Sequence, residues 1–439
     1  MNTKKLFIIT SLLLIGNLYS QSFNKVKLDS LFQLLELKDK YMGSIAISEN
    51  GNLIYTNAVG KDDIENNKKS TILTKYRIGS ISKTFTATLI FKAIEENKLT
   101  LNQTIDKYFP IIANAKKITI GNLLNHRSGI HNFTNDNDYL EYNTLPKTEE
   151  EMLAIIAKGK SDFEPNSKAE YSNSNFVLLS YILEKIYNRK YSEILLETIL
   201  KPLGLKNTYF GGKINLQNDE CLSYSYSDKW EKEPETDMSI PMGAGGIVSN
   251  PTDLVIFIEN LFNGKIISEK SLVQMKTIQD KYGMGLFKTP FYDKIGFGHT
   301  GGIDGFGSVL SYFPDHKLAI ALTSNGVNYE NNNIMIAALS CVFNKKFEIP
   351  TFKIIDLKTK DLDKYLGEYS NTTFPLAITI IKKDTKLFAK ATGQSEFPLD
   401  ATEKDTFEFS MAGIKLLFNV AEKQMTIIQA GMKNVLSKK

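Results

Sequence analysis

Ser80-Ile81-Ser82-Lys83 places a hydroxyl and an amine three residues apart at the start of a long apolar-periodic segment. Residues at that spacing lie on one face of a helix, so Ser80 and Lys83 are expected to meet over a single turn. The start of a helix adds free N–H groups and a partial positive charge beside the hydroxyl. Together these supply a nucleophile, a nearby base and a place for developing negative charge, which is the chemistry of acyl transfer. The spacing alone is weak, because Ser22 and Lys25 repeat it ahead of any core.

Two further groups carry chemistry. Tyr171-Ser172-Asn173 reads as an extended segment with its first and third side chains on one side. There a phenol is expected as a proton relay and Asn173 as a donor to a substrate carbonyl. His299-Thr300-Gly301-Gly302 reads as a strand edge whose glycines admit a ligand close to the backbone. Each of these also has an ordinary reading, as a core tyrosine beside a loop and as a glycine-rich turn.

The elements that must position these groups follow from the pattern. Strands are expected at residues 43–48 and 53–56 about the Asn50-Gly51 turn, and again at 306–312 and 318–323. Helices are expected at 80–97, 178–187, 252–261 and 332–343, with the whole stretch 101–263 reading as helices and loops. Strands from both ends of one region with a helical insert between them describe an α+β fold, an antiparallel sheet flanked by helices and a helical subdomain. Residues 345–360 read as a linker. From 361 to 439 short alternating stretches describe a small antiparallel β domain or partial barrel.

The chain has 439 residues, room for two or three domains. Its net charge of +4 is spread without a basic block, which argues for neither nucleic acid nor a charged membrane surface as the main partner. Lys4 and Lys5 before the apolar run Leu6–Ile15, with Ser20 beyond, describe a signal peptide over residues 1–20. The expected product is exported, periplasmic or secreted, with no stable membrane span after cleavage. No metal or cofactor is expected, since the four histidines and Cys221 and Cys341 show no ligand spacing. Export permits a disulfide, and the positions of the two cysteines decide neither pairing nor free thiols.

Taken together and in this order, the three motifs resemble those of the penicillin-recognising serine hydrolases, in the branch of class C β-lactamases, D-aminopeptidases and related esterases. Tyr76-Arg77-Ile78-Gly79 before the nucleophile, the stretch 118–130 and Ala244-Gly245-Gly246-Ile247-Val248-Ser249 carry the same likeness, over roughly Leu28 to Phe343. The resemblance implies a β-lactamase/transpeptidase-like domain over 21–344 and a Ser80 acyl-enzyme. Lys83 and Tyr171 would be the proton-transfer groups, with the choice of base open. The N–H groups of Ser80 and Gly302 would form the oxyanion hole, and Asn173, His299, Thr300 and Gly301 would contact a small-molecule or peptide substrate.

Position 299 departs from the β-lactamases, which carry lysine there. Histidine is only partly charged near neutral pH, so a substrate carboxylate is expected to be held weakly. The expected substrate is an amide or ester, a D-amino-acid peptide or small ester. The alternatives are a class C-like β-lactamase and a non-hydrolysing penicillin sensor or scaffold. His126 is expected to be structural. Oligomeric state is not legible.

Overall fold

The computed structural model describes residues 23–439, apart from Asp228, Ser410, Met411, Ala430 and Gly431. The expected signal segment lies outside the described residues. Among these, no helix is long and apolar enough to cross a membrane.

The central sheet is antiparallel along its main path. Its strands run in the order Phe287–Phe291, Lys294–Ile303, Phe306–Phe313, Leu318–Val327, Tyr41–Glu49, Asn52–Val59. The register sets Ser44 opposite Thr323, Val309 opposite Thr300, and Gly307 opposite Gly302. Alternation along Tyr41–Glu49 sends Ile45 and Ile47 to one face and Ala46 to the other. The first face is covered by the helices Lys25–Leu37 and Asn331–Val342 through Leu28, Leu31, Phe32 and Ile334. The second is covered by Ser82–Glu95 and Pro251–Phe262, whose Phe85 and Phe257 stack at 3.7 Å between ring centroids. Full burial of each such side chain stabilises by about 1.5–3 kcal/mol.

Ser82–Glu95 is buried nearly all round, threonines included. Their hydroxyls are satisfied chiefly by backbone carbonyls: Thr86 by Gly243 at 2.7 Å, with the Ser82 carbonyl also near at 3.2 Å, Thr88 by Thr84, and Thr84 by Gly285. Back-bonding of this kind lets hydroxyl side chains enter a helix interior without orphaned polar atoms.

The region 101–263 holds more than helices and loops. Tyr76–Arg77, Ile247–Ser249 and Tyr209–Phe210 form a three-stranded sheet, and Tyr224–Tyr226 pairs with Trp230–Lys232. These strands are two or three residues long, too short to show a period.

After an irregular stretch over 345–358, a short 3₁₀ segment Thr359–Tyr365 leads into a closed eight-stranded barrel between Gly367 and Lys438. Its interior is filled by Tyr365, Tyr369, Phe407, Leu416, Phe418 and Met425 among others. Closure rests on a short seam in which Tyr369 faces Lys438 and Ser370 faces Ser437. The sequence shows five of these strands. The strand Glu396–Glu403 is hidden by Pro398, Gly367–Ser370 by its brevity, and Met432–Lys438 by its exposed residues.

Candidate active site

Ser80 lies in a single 3₁₀ turn, Gly79–Ile81, that feeds directly into the helix Ser82–Glu95. One turn later Lys83 reaches back, with Nζ 2.9 Å from Ser80 Oγ. Lys83 is fully buried, and burial holds its pKa well below that of a free lysine. Its amine has two other contacts, Asn173 Oδ1 at 2.8 Å and the Ala244 carbonyl at 2.7 Å. Both of those oxygens only accept. In its neutral form the amine would give its two hydrogens to Asn173 and Ala244 and keep its lone pair for the Ser80 hydroxyl.

Asn173 is the first residue of the helix Asn173–Tyr187, which begins five residues before the expected 178. Ser172 before it is extended. The Asn173 amide is fixed on both sides. Nδ2 donates to Thr134 Oγ1 at 3.1 Å, and its backbone N–H donates to Asn132 Oδ1 at 2.9 Å.

Tyr171 is half-buried beside this group, with Lys83 Nζ 4.9 Å from the centre of its ring. Burial raises its pKa above that of free tyrosine, and the neighbouring Ser80 hydroxyl only offsets this in part.

His126 supports Tyr171 from behind. Its ring lies 4.5 Å from the Tyr171 ring, and its Nδ1 accepts the Ser172 N–H at 3.2 Å. It follows the helix Ile120–Leu124, and burial pushes its pKa well down.

His299 is in the strand Lys294–Ile303 but faces away from the opening. It is 3% exposed and packs on Phe287 with ring centroids 4.4 Å apart. Its Nδ1 contacts the Thr300 carbonyl, and the Tyr171 ring is 6.3 Å away. Burial, with the nearby Lys83 amine, pushes its pKa down to about 3, so the ring is neutral.

Gly301 and Gly302 run past the nucleophile turn. A Cβ on Gly301 would stand 2.1 Å from the Ile78 carbonyl, and one on Gly79, whose φ is +49°, would stand 2.7 Å from Gly302 N. Only glycine permits this approach, which sets the amides of Ser80 and Gly302 side by side.

The resulting cleft, about 610 Å3, is lined by Ser80, Asn173 and Gly302 together with Phe133, Tyr139 and Glu233 among others. His299, Thr300, Gly301 and Tyr171 do not line it. His299 has its ring buried on the far side of Tyr171 from this cleft. Its alternation with the exposed Thr300 turns its ring into the protein.

The Ala244 carbonyl and the Arg77–Asp304 pair were not read as site groups from sequence. A backbone carbonyl leaves no side-chain signal, and only the small residues Ala244-Gly245-Gly246 hint at close packing there.

A family model described as Beta-lactamase matches residues 37–339. The chain belongs to the β-lactamase family. This β-lactamase-family protein is 27% identical over 301 residues to a teichoic acid D-alanine hydrolase of Staphylococcus aureus (strain MRSA252), covering 67% of the chain and 72% of that relative. It is similar to a solved D-stereospecific amidohydrolase from Streptomyces sp., at 27% identity and a TM-score of 0.63 over 71% of this chain and 97% of the other. An octameric penicillin-binding protein homologue from Pyrococcus abyssi shares the fold over 94% of this chain and 100% of its own. Its TM-score is 0.68, at 23% identity. The protein is a hydrolase of the β-lactamase fold.

Proposed function

We propose that the protein hydrolyses amides or esters of D-amino acids through an acyl-enzyme on Ser80. The observation that carries this reading is the Lys83 amine, buried, with two contacts that can only accept and the third on Ser80 Oγ. Lys83 takes the Ser80 proton as Oγ attacks the carbonyl carbon, and the N–H groups of Ser80 and Gly302 receive the oxyanion. The proton passes to the departing amine or alcohol through Lys83 and the Tyr171 phenol. Water then attacks the acyl-enzyme, giving a proton to Lys83, and Ser80 leaves with a proton restored. Asn173 and Ala244 hold the lysine in place, and His126 and His299 hold Tyr171.

Charge supports the D-amino acyl choice. Among the described residues, no lysine, arginine or histidine lines the cleft. Of its two carboxylates, Asp304 is occupied by Arg77, while Glu233 forms no ion pair among the described residues. A free α-ammonium on the substrate suits such a cleft, and a β-lactam carboxylate does not. The teichoic acid D-alanine hydrolase and the D-stereospecific amidohydrolase are named for substrates or selectivity of this kind. We also propose the division into a catalytic domain at 21–344 and a C-terminal barrel domain joined by 345–360, and export of the protein.

Intact-mass measurement with a fluorophosphonate and with a penicillin, beside Ser80→Ala, tests the reading. A phosphonate adduct lost in the variant, with turnover of D-alanine amide and none of the L-enantiomer, is expected. No adduct on the wild-type protein would remove the acyl-enzyme, and an adduct with rapid penicillin turnover would favour the β-lactamase reading.

A further inference from the structure

A second opening of about 1000 Å3, larger than the cleft, lies beside it and does not include Ser80. The two have Thr144, Glu233, Pro234 and Thr236 in common, so they meet along one wall. A space of a few hundred Å3 already holds a drug-sized ligand. The joined space is far more than one aminoacyl group fills.

The charges of the second opening are unequally committed. Four of its five carboxylates are held within the protein, and the fifth, Glu233, stands on the wall shared with the cleft. Glu149 pairs with Lys185 at 2.6 Å, and Glu184 accepts the Tyr191 N–H at 2.8 Å. Glu235 accepts the Ile214 N–H at 3.0 Å and faces Arg77 at 3.4 Å, while Asp237 accepts from Ser239. By contrast Lys190, Lys213 and Lys232 line the same opening, and none forms an ion pair among the described residues. Outside the shared wall that carries Glu233, the charges left without an ion pair in this opening are the three lysines, while the cleft has the carboxylate alone.

We propose that the second opening is a subsite for the leaving-group side of the substrate, and that this part carries negative charge from carboxylate or phosphate groups. The inference rests on the reading of the Ser80 cleft as the hydrolytic site. An acyl group that ends in its own ammonium cannot extend further, so any extension runs from the leaving group. Complementary charge across such a site favours the matching substrate and rejects the opposite one.

Three D-alanyl tripeptide amides of equal length test this, with two glutamines, two glutamates or two phosphoserines beyond the scissile bond. At low salt, kcat/KM for the glutamate or phosphoserine peptide is expected to exceed that of the glutamine peptide by about 5-fold, the scale of a few exposed charge pairs. The gain shrinks towards parity in about 0.5 M salt and in the double variant Lys190→Gln, Lys213→Gln. The larger gain of the two anionic peptides names the source of the charge. Equal rates for glutamine and glutamate peptides in the wild-type protein would overturn the subsite, as would a preference that survives the double variant. If no peptide is cleaved, the hydrolytic reading fails separately. Equilibrium binding of the same peptides to Ser80→Ala then decides the subsite, with tighter binding of the anionic ones supporting it and equal binding refuting it.

Discussion

Arg77 Nη1 and Asp304 Oδ2 meet at 2.9 Å, with 2% and 4% of their side chains exposed. Arg77 lies three residues before the nucleophile, and Asp304 two residues after Gly302. The pair therefore ties together the two segments whose amides are proposed to receive the oxyanion. Arg77 also donates to the carbonyls of Thr236 and Gly212, and Asp304 Oδ1 accepts from Thr236 N and Oγ1. Removing the charge in Asp304→Asn is expected to lower kcat by about 10-fold with KM little changed. A single oxyanion donor is worth about 10²–10³, and here one is only displaced. Steady-state kinetics on D-alanine amide checks it. A fall in KM alone, or no change, would show that the pair holds the fold without setting the amides.

The nucleophile and its base should fail together. Ser80→Ala and Lys83→Met are each expected to cost on the order of 10⁶ in rate, and the double variant little more, because groups that act as one unit are not additive. Tyr171→Phe keeps the packing on His126 and should cost about 10²–10⁴, the range of one proton-transfer group. Single-turnover rates separate these.

The pH profile follows from burial. Lys83 must be neutral to accept a proton, so kcat/KM is expected to rise with pH along one limb, with its midpoint far below the range of a free lysine. No fall from Tyr171 is expected until strongly alkaline pH, since burial raises its pKa. Asn173→Asp sets a carboxylate on the amine, favours the ammonium and should move the limb to higher pH. A limb that stays in place in that variant would argue that a different group titrates.

His299 makes an acid-stability prediction. Its folded pKa of about 3 lies below the 6.5 of the unfolded chain. Between those values the unfolded chain binds the extra proton, so stability falls as pH falls, by up to about 1.4 kcal/mol per pH unit. Urea midpoints between pH 7 and pH 4 should decline less steeply in His299→Gln than in the wild-type protein. Parallel declines would mean that the ring is already protonated in the fold.

His299→Lys separates two readings of that position. From sequence, a lysine there promises a better grip on a β-lactam carboxylate. In the structure the side chain is out of the cleft and within reach of Lys83, so a second amine has nothing to pair with. The expected result is a loss of about 3 kcal/mol or more, on the scale of an uncompensated buried charge, with no gain in penicillin turnover. Thermal unfolding and penicillin kinetics on the same variant decide.

The sequence is most legible where period and chemistry coincide. Ser80 and Lys83 are one helical turn apart and meet. The sheet strands near 43–48, 306–312 and 318–323 and the helix near 332–343 lie within a few residues of the expected bounds. What escapes is decided by tertiary packing. His299 reads as a substrate contact because of its motif, yet its side of the strand is set by pairing with Phe306–Phe313. Pro398 reads as a strand breaker, yet it sits in a barrel strand opposite Phe388. The Ala244 carbonyl has no side chain to announce it.

The close passage of Gly301 past Ile78 has a consequence for how this protein can diverge. No side chain fits at 301, and none at 79 without displacing the strand. These two positions are closed to mutation, however strong the selection for a new substrate. New specificities must arise on the opposite rim, where Tyr139, Thr144 and Glu233 can change without moving the amides. Descendants of this sequence should differ there first.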